Sequence, residues 1–234
     1  MKIDKTDCTK FGARQIHTEV ETAEVTNNSE WPTRFLSPLY LEGEPGFKTI
    51  RVEWLFEGET RAEVEENISH LAALCLEPRI LTLDRRDFLY QVVMTSASQE
   101  TINTMGTAVR YTIEYKGFAV KKQKKEQIIK SLETTLKNKG NLKSPAVVEI
   151  TPSTTETVLS IEGLGDSPIT VRNLKAGKKI ILNGETGLIT EEGSSNKLPD
   201  VDFWEVPRVL PGENTIKLSK KTVDMTILYY PRFF

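Results

Sequence analysis

Histidines, cysteines and converging carboxylates are where chemistry would start, and this sequence is sparing with all three. Its two histidines, His17 and His70, stand apart, and neither has a partner at metal-ligand spacing. His70 falls beside the apolar stripe of a helical pattern, where an imidazole more often shields a core edge than binds metal. Cys8 and Cys75 fit neither a disulfide framework nor a metal spacing, and Cys75 reads as a small core residue. Asp84 and Asp87 flank Arg85 and Arg86, but at a hairpin tip such carboxylates pair with the arginines or cap the turn. Glu65-Glu66 and Glu191-Glu192 read as solvated surface, because acid–base catalysis needs convergence that adjacency does not supply. No Gly-x-Gly-x-x-Gly, P-loop, nucleophile elbow or His-Glu-x-x-His occurs. A hydrolase with two distant carboxylates stays open but unsupported. The expectation is a protein that is not an enzyme, with no catalytic, cofactor-binding or metal-binding residues and no cofactor.

Composition narrows the classes further. Thirty-one basic against thirty-three acidic residues leave a net charge of -2, which argues against bulk nucleic-acid binding while allowing a local basic patch, and no specific nucleic-acid binding is expected. A hydrophobic content of 38% over 234 residues is enough for one large core or two ordinary ones. No apolar run is long enough to cross a bilayer, and Met1–Cys8 lacks the apolar stretch of a secretory signal. The expectation is no membrane insertion and synthesis in a reducing cytoplasm, with release by lysis as the alternative to staying there.

The elements that would position any site are mostly strands. Ile50, Val52, Trp54 and Phe56 alternate with Arg51, Glu53, Leu55 and Glu57, the period of a half-buried strand. Thr60-Arg61-Ala62-Glu63 is a capping box, and Val64, Ile68, Leu71 and Cys75 form one face of the helix behind it until Pro78 forbids continuation. Residues 80–83 and 88–94 read as a hairpin about Asp84–Asp87, and Val109, Tyr111, Ile113 and Tyr115 share one face of a further strand. Between 27 and 46 lie Asn27-Asn28-Ser29, Trp31-Pro32, Ser37-Pro38 and Gly43-Glu44-Pro45-Gly46. That density of breakers predicts a long excursion from the sheet, either functional or an ordinary surface loop.

Residues 121–143 are rich in lysine, and Ile128, Ile129, Leu132 and Leu136 suggest a boundary helix closed by Gly140 in left-handed geometry. Its lysines read as a solvated face rather than a strip facing phosphate. From Pro145 short apolar runs recur at 146–150, 158–161, 169–171, 179–182, 187–190, 215–218 and 222–230, the spacing of a sandwich or jelly roll. Asn183-Gly184 suits a primed turn. The fold class is therefore mainly β with one or two helices. It comprises a sandwich-like first domain with a helix, residues 1–138, and a jelly-roll second domain, residues 139–234.

The end of the chain is the most specific stretch. Phe203-Trp204-Glu205-Val206-Pro207-Arg208-Val209-Leu210-Pro211-Gly212-Glu213-Asn214-Thr215-Ile216 leads into a strand, and Ile227-Leu228-Tyr229-Tyr230-Pro231-Arg232-Phe233 follows. Pro211-Gly212 fits the centre of a type II turn, and Pro231 ends a ladder. These residues resemble the distal tail proteins, Dit, of long-tailed phages and prophages of Gram-positive bacteria. The signature positions are Trp204, Pro207, Pro211, Gly212, Asn214, Ile216, Tyr229, Pro231 and Arg232. Asn138-Lys139-Gly140-Asn141 before Ser144-Pro145-Ala146-Val147, and Lys179–Gly184, are similar more loosely.

The resemblance implies a structural protein of the virion, at the tail tip or baseplate. It implies a homohexameric ring formed by the first domain and a galectin-like second domain used for docking. Its partners would be the tail tube protein, the tape measure protein, and tail-associated lysin, fibre or receptor-binding proteins, with DNA passing through the opening. The alternative is a carbohydrate-binding module protein that anchors to the host cell wall. That role needs exposed aromatics, whereas Trp54 and Trp204 read as core residues.

Overall fold

The computed structural model describes residues 1–30, 32–37, 39–193 and 196–234, with the side chains of 27–29 and 39–42 left aside. Contacts divide the chain into two units, Met1–Val120 with Phe234, and Lys121–Phe233. The expected Trp31 and Pro38 features lie outside the described residues.

The first unit runs β1 (Lys2–Ile3), β2 (Thr6–Asp7), a 3-10 turn (Cys8–Phe11), β3 (Ala13–Val20), β4 (Val25–Glu30), β5 (Leu39–Pro45), β6 (Lys48–Glu57), α1 (Arg61–Leu74), β7 (Arg79–Thr82), β8 (Leu89–Thr101) and β9 (Ala108–Val120). One antiparallel sheet has the order β2-β1-β7-β8-β9-β6-β3, and β4 pairs with β5 as a separate ribbon. The alternation in β6 buries Ile50, Val52, Trp54 and Phe56, and β9 buries Val109, Tyr111, Ile113 and Tyr115. The second layer comes from α1, which packs on β6 and β9 and buries Val64, Ile68 and Leu71. Each such side chain contributes about 1.5–3 kcal/mol.

The cap of α1 differs slightly from expectation. Thr60 Oγ1 accepts from the Glu63 N–H (3.2 Å), but Glu63 Oε2 accepts from the Glu59 N–H (2.9 Å) rather than from that of Thr60. At the other end Cys75 is buried, its Sγ 3.3 Å from the Tyr115 hydroxyl. The excursion at 25–45 does leave the main sheet. It is nevertheless regularly paired from Val25↔Pro45 to Glu30↔Leu39 with one bulge between Asn28 and Ser29, so Gly43 and Pro45 stand within a paired ribbon.

The second unit holds β10 (Lys124–Ile128), β11 (Glu133–Asn138), β12 (Ser144–Pro152), β13 (Glu156–Glu162), β14 (Ile169–Leu174), β15 (Ile180–Asn183), β16 (Ile189–Glu191), β17 (Val201–Asp202), β18 (Arg208–Val209), β19 (Gly212–Leu218), β20 (Val223–Tyr229) and β21 (Arg232–Phe233). Two antiparallel sheets, β10-β20-β12-β15-β16 and β11-β19-β13-β14-β17, enclose one apolar core. The runs expected from Pro145 onward are all strands. In β20 Val223, Met225, Ile227 and Tyr229 all turn inward.

The boundary helix is not there. Its residues form β10 and β11, joined through Lys130 at φ 49°. Ile128, Leu132 and Leu136 imitate a helical stripe by spacing alone, while Ile129 and Leu132 are exposed and the period-two pattern of β11 buries Leu136 and Asn138. Their partners are far off in sequence, Lys124↔Tyr229 and Leu136↔Asn214, so no local signal announces them. Residues 121–138, expected in the first domain, therefore fall in the second unit.

Two glycines also serve otherwise than expected. A Cβ on Gly140 would lie 2.5 Å from the Arg232 carbonyl oxygen, so close backbone approach, not a helix end, requires glycine there. A Cβ on Gly184 would lie 2.2 Å from the Pro207 oxygen, and the positive φ of that hairpin belongs to Gly187.

Candidate assembly surfaces

In the first unit, β7 covers only Leu89–Val92 of β8. From Val93 to Thr101 β8 pairs on one side with β9, and almost every residue of Val93–Thr101 is exposed whichever face it takes. The sequence there, Val93-Met94-Thr95-Ser96-Ala97-Ser98-Gln99-Glu100-Thr101, carries no proline and no lysine. At the opposite end β3 pairs, among the described residues, only with β6. Among the described residues, both long edges present an unpaired row of backbone donors and acceptors, the usual template for another strand. The hairpin tip beyond β8 adds exposed Ile102 and Met105, and the β4–β5 ribbon adds Phe35 and a fully exposed Leu36.

The signature residues gather in the second unit, and all but one serve its architecture. Gly212 has φ 87°, the left-handed value a type II turn asks of its third residue. Asn214 clamps that turn from beneath. Its Nδ2 donates to the carbonyls of Leu210 (2.8 Å) and Gly212 (3.1 Å), and its Oδ1 accepts from the Leu210 N–H (2.9 Å). Ile216 and Tyr229 are core, the Tyr229 hydroxyl reaching the Lys137 carbonyl at 3.4 Å. The Pro207 carbonyl accepts from Ala146 N–H (2.9 Å), and that of Pro231 from Lys121 N–H (3.1 Å).

The Arg232 N–H donates to Ser144 Oγ, and its carbonyl accepts from Asn141 and Leu142. Burial draws the guanidinium pKa of Arg232 below its ordinary value. Around this closure Asn138, also buried, donates to Ser144 Oγ and the Val209 carbonyl and accepts from the Gly140 N–H. The looser Asn138–Val147 similarity thus meets the terminal signature at one buried polar knot.

Trp204 is the exception, 90% exposed where a core position was expected. Its loop is fixed by Arg208, which reaches Glu205 (2.7 Å) and Asp166 (2.8 Å). The indole borders an open cavity of about 680 Å³ lined also by Ser167, Pro168, Thr170, Leu198 and Asp202. Asp202 pairs in turn with Arg172.

Nearby, sequence reasoning missed a buried ion cluster. Lys197, 5% exposed, meets Asp200 (2.9 Å) and Glu191 (3.2 Å) and donates to the Asn173 carbonyl (2.9 Å). Glu191, expected on the surface, is 8% exposed. Burial opposes the charge on Lys197, but the two carboxylates outweigh it and its pKa stands raised. The Lys197 hydrogen bond, with that of Asn173, holds Asp200 below the usual carboxylate range.

The other candidates for chemistry do not converge. Among the described residues no group of three or more His, Cys, Asp or Glu could hold a metal, and no helix is long and apolar enough to cross a membrane. His70 sits exposed beside Glu66, and Asp84 accepts from the Met1 amino group rather than from its neighbouring arginines. Cys8 is buried away from water, which pushes its thiol up to about 12 and makes it a poor nucleophile.

Comparison with known proteins gives the fold a context. The crystal structure of the Dit protein of phage SPP1, described as a paradigm of the hub adsorption apparatus in phages infecting Gram-positive hosts, superposes with a TM-score of 0.68. It is 13% identical, over 99% of this chain and 98% of that one. Chains of the phage P2 baseplate in its activated conformation, with calcium and with strontium, match at TM-scores of 0.60. They are 12% and 11% identical, over 95% of this chain and 92% of theirs. No curated protein sequence matches. The expected fold class holds: the chain is mainly β and has the Dit fold. The family model described as phage tail C-terminal domain matches residues 111–229, half of the chain, and the chain belongs to that family.

Proposed function

We propose that this protein is a structural, non-enzymatic hub of a phage tail tip, closing into a ring through its first unit and carrying the second as a docking module. The observation that carries the reading is the pair of long open edges, β3 and the distal half of β8, on one sheet. Successive pairs β3/β6, β6/β9 and β9/β8 are all antiparallel, so β3 and β8 run in opposite directions. Strand β8 of one copy laid beside β3 of the next would therefore continue the antiparallel alternation. Such a head-to-tail contact uses two different surfaces and forms a ring where its rotation closes. The ribbon with Leu36 at its tip is of a kind to clasp a neighbouring copy.

A ring of six copies, lying in the virion between the tail tube with its tape measure protein and a lysin, fibre or receptor-binding protein, follows the same reading. DNA would pass through without being held, in keeping with a net charge of -2. The test is the mass of the full chain in solution. A particle six times the 26.4 kDa chain mass is expected, and a strict monomer at high concentration rejects the ring. The rival reading, a module anchoring to cell-wall carbohydrate, draws support from the exposure of Trp204.

A further inference from the structure

We propose that the groove beside Trp204 is a binding site for a short neutral saccharide. A sugar site needs a flat apolar surface for the C–H face of a pyranose, with hydrogen-bonding groups beside it for the hydroxyls. The indole of Trp204 supplies the first. It is 90% exposed, yet it stands on a loop that Arg208 ties through both Glu205 and Asp166. Those ion pairs tie the loop that carries the indole, so the backbone beside it is already ordered when a ligand stacks on the ring, which favours binding. The hydroxyls of Ser167 and Thr170 and the carboxylate of Asp202 supply the second, all lining the same cavity of about 680 Å³. That volume lies within the range of small-molecule sites.

Asp202 is oriented by Arg172, so a carboxylate stands ready to accept from a sugar hydroxyl with a guanidinium at its side. The local charge selects among saccharides. Three carboxylates, Asp166, Asp202 and Glu205, stand against two guanidinium groups, Arg172 and Arg208. A polyphosphate or uronate chain meets net repulsion there, whereas a neutral hexose or N-acetylhexosamine oligomer does not. The lining is concave and mixes hydroxyls with apolar groups, unlike the apolar core of a protein interface. The inference rests on the groove alone and holds whether or not the ring forms.

The test is equilibrium binding of the full chain to lactose, cellotriose and the trimer of β-1,4-linked N-acetylglucosamine, with poly(glycerol phosphate) as the anionic comparison. Binding is followed by calorimetry and tryptophan emission. At least one neutral sugar is expected to bind saturably, with at least a tenfold loss in Trp204→Ala and partial retention in Trp204→Tyr. Because the indole is exposed, both variants are expected to keep the native circular dichroism spectrum. Binding of none of the neutral sugars, binding only of the polyanion, or sugar binding unchanged in Trp204→Ala each overturns the proposal. Loss of a tail-protein contact in Trp204→Ala without any sugar binding overturns it too, and assigns the groove to protein docking.

Discussion

The two units treat their sheet edges in opposite ways. In the second, the edges are β10, with Lys124 and Lys125; β11, with Lys137; and β16 and β17, of three and two residues. Lysines and brevity are the devices by which stable β proteins refuse further strands. In the first, β3 runs eight residues, and β8 offers Val93–Thr101 without lysine or proline. The sheets of both units bury apolar residues inward, so core packing does not explain the contrast. An edge left open at this length is an aggregation hazard for a free monomer, and it becomes reasonable where a second copy covers it. On the proposed function the first unit is the part that assembles, and the second, with short or lysine-bearing edges, presents side chains instead.

The sharpest break of that comparison is to damage each unit separately. A Cβ on Gly117 would lie 2.0 Å from the Gln91 carbonyl oxygen, inside the β8–β9 ladder, and one on Gly184 would lie 2.2 Å from that of Pro207. Backbone cannot yield there as a flexible side chain can, so Gly117→Ala and Gly184→Ala should each cost about 3 kcal/mol or more. If the units are separable, limited proteolysis will degrade residues 1–120 in the first variant and 121–233 in the second, sparing the other part. Loss of the whole chain in both would mean a single cooperative unit.

Next in size is the ion cluster. Lys197→Met strands Glu191 in the core and should destabilise the second unit by about 3 kcal/mol. The pH dependence has a defined sign. Asp200, held low by Lys197, contributes stability that is present above the ordinary carboxylate range and lost as pH falls through its depressed pKa. Lys197, held high by its two carboxylates against burial, contributes stability present below the ordinary lysine value and lost as pH rises through its raised one. Thermal melts of the wild type should therefore weaken at both extremes, and the Lys197→Met chain should show a flatter profile.

How far these features could be read from sequence depends on where their partners lie. The capped helix was legible because Thr60, Glu63 and the stripe Val64–Ile68–Leu71 are local. The strands β6, β9 and β20 were legible because one buried face imposes period two. The far half of β8 was not, since a strand exposed on both faces has no apolar alternation to betray it. β10 and β11 misled, because a four-residue spacing of Ile128, Leu132 and Leu136 arises by coincidence in strands whose partners lie near the other end of the chain. The exposure of Trp204 and the burial of Glu191 were equally hidden. The burial of Glu191 depends on Lys197 reaching it and the carbonyl of Asn173, and the Trp204 loop on Arg208 reaching Glu205 and the distant Asp166.

A third test is aimed at the open edge itself. Ala97→Lys with Gln99→Lys places two exposed charges on the free stretch of β8, the guard that β10 already carries. Native stability should change by no more than about 0.5 kcal/mol, since neither side chain is buried. Assembly should need at least a tenfold higher concentration, about 1.4 kcal/mol, measured by light scattering across a dilution series. An unchanged oligomer would move the ring contact away from β8.

The smallest effect is expected from removing the guard on the other unit. Lys124 and Lys125 lie on β10, which among the described residues pairs with β20 alone, so Lys124→Thr with Lys125→Thr leaves a plain edge strand. Both side chains are exposed, and threonine suits a strand at least as well as lysine, so the monomer's stability should stay within about 0.5 kcal/mol of the wild type. What should change is slow self-association beyond the wild-type particle, seen as a rising scattering signal over hours. The same variant separates edge protection from phosphate binding as the reason for the lysines. If they protect an edge, the wild type shows no measurable duplex binding at near-physiological ionic strength and the variant none either. If they face phosphate, the wild type binds duplex with a steep salt dependence as counterions are released, and the variant loses that binding without gaining any tendency to associate.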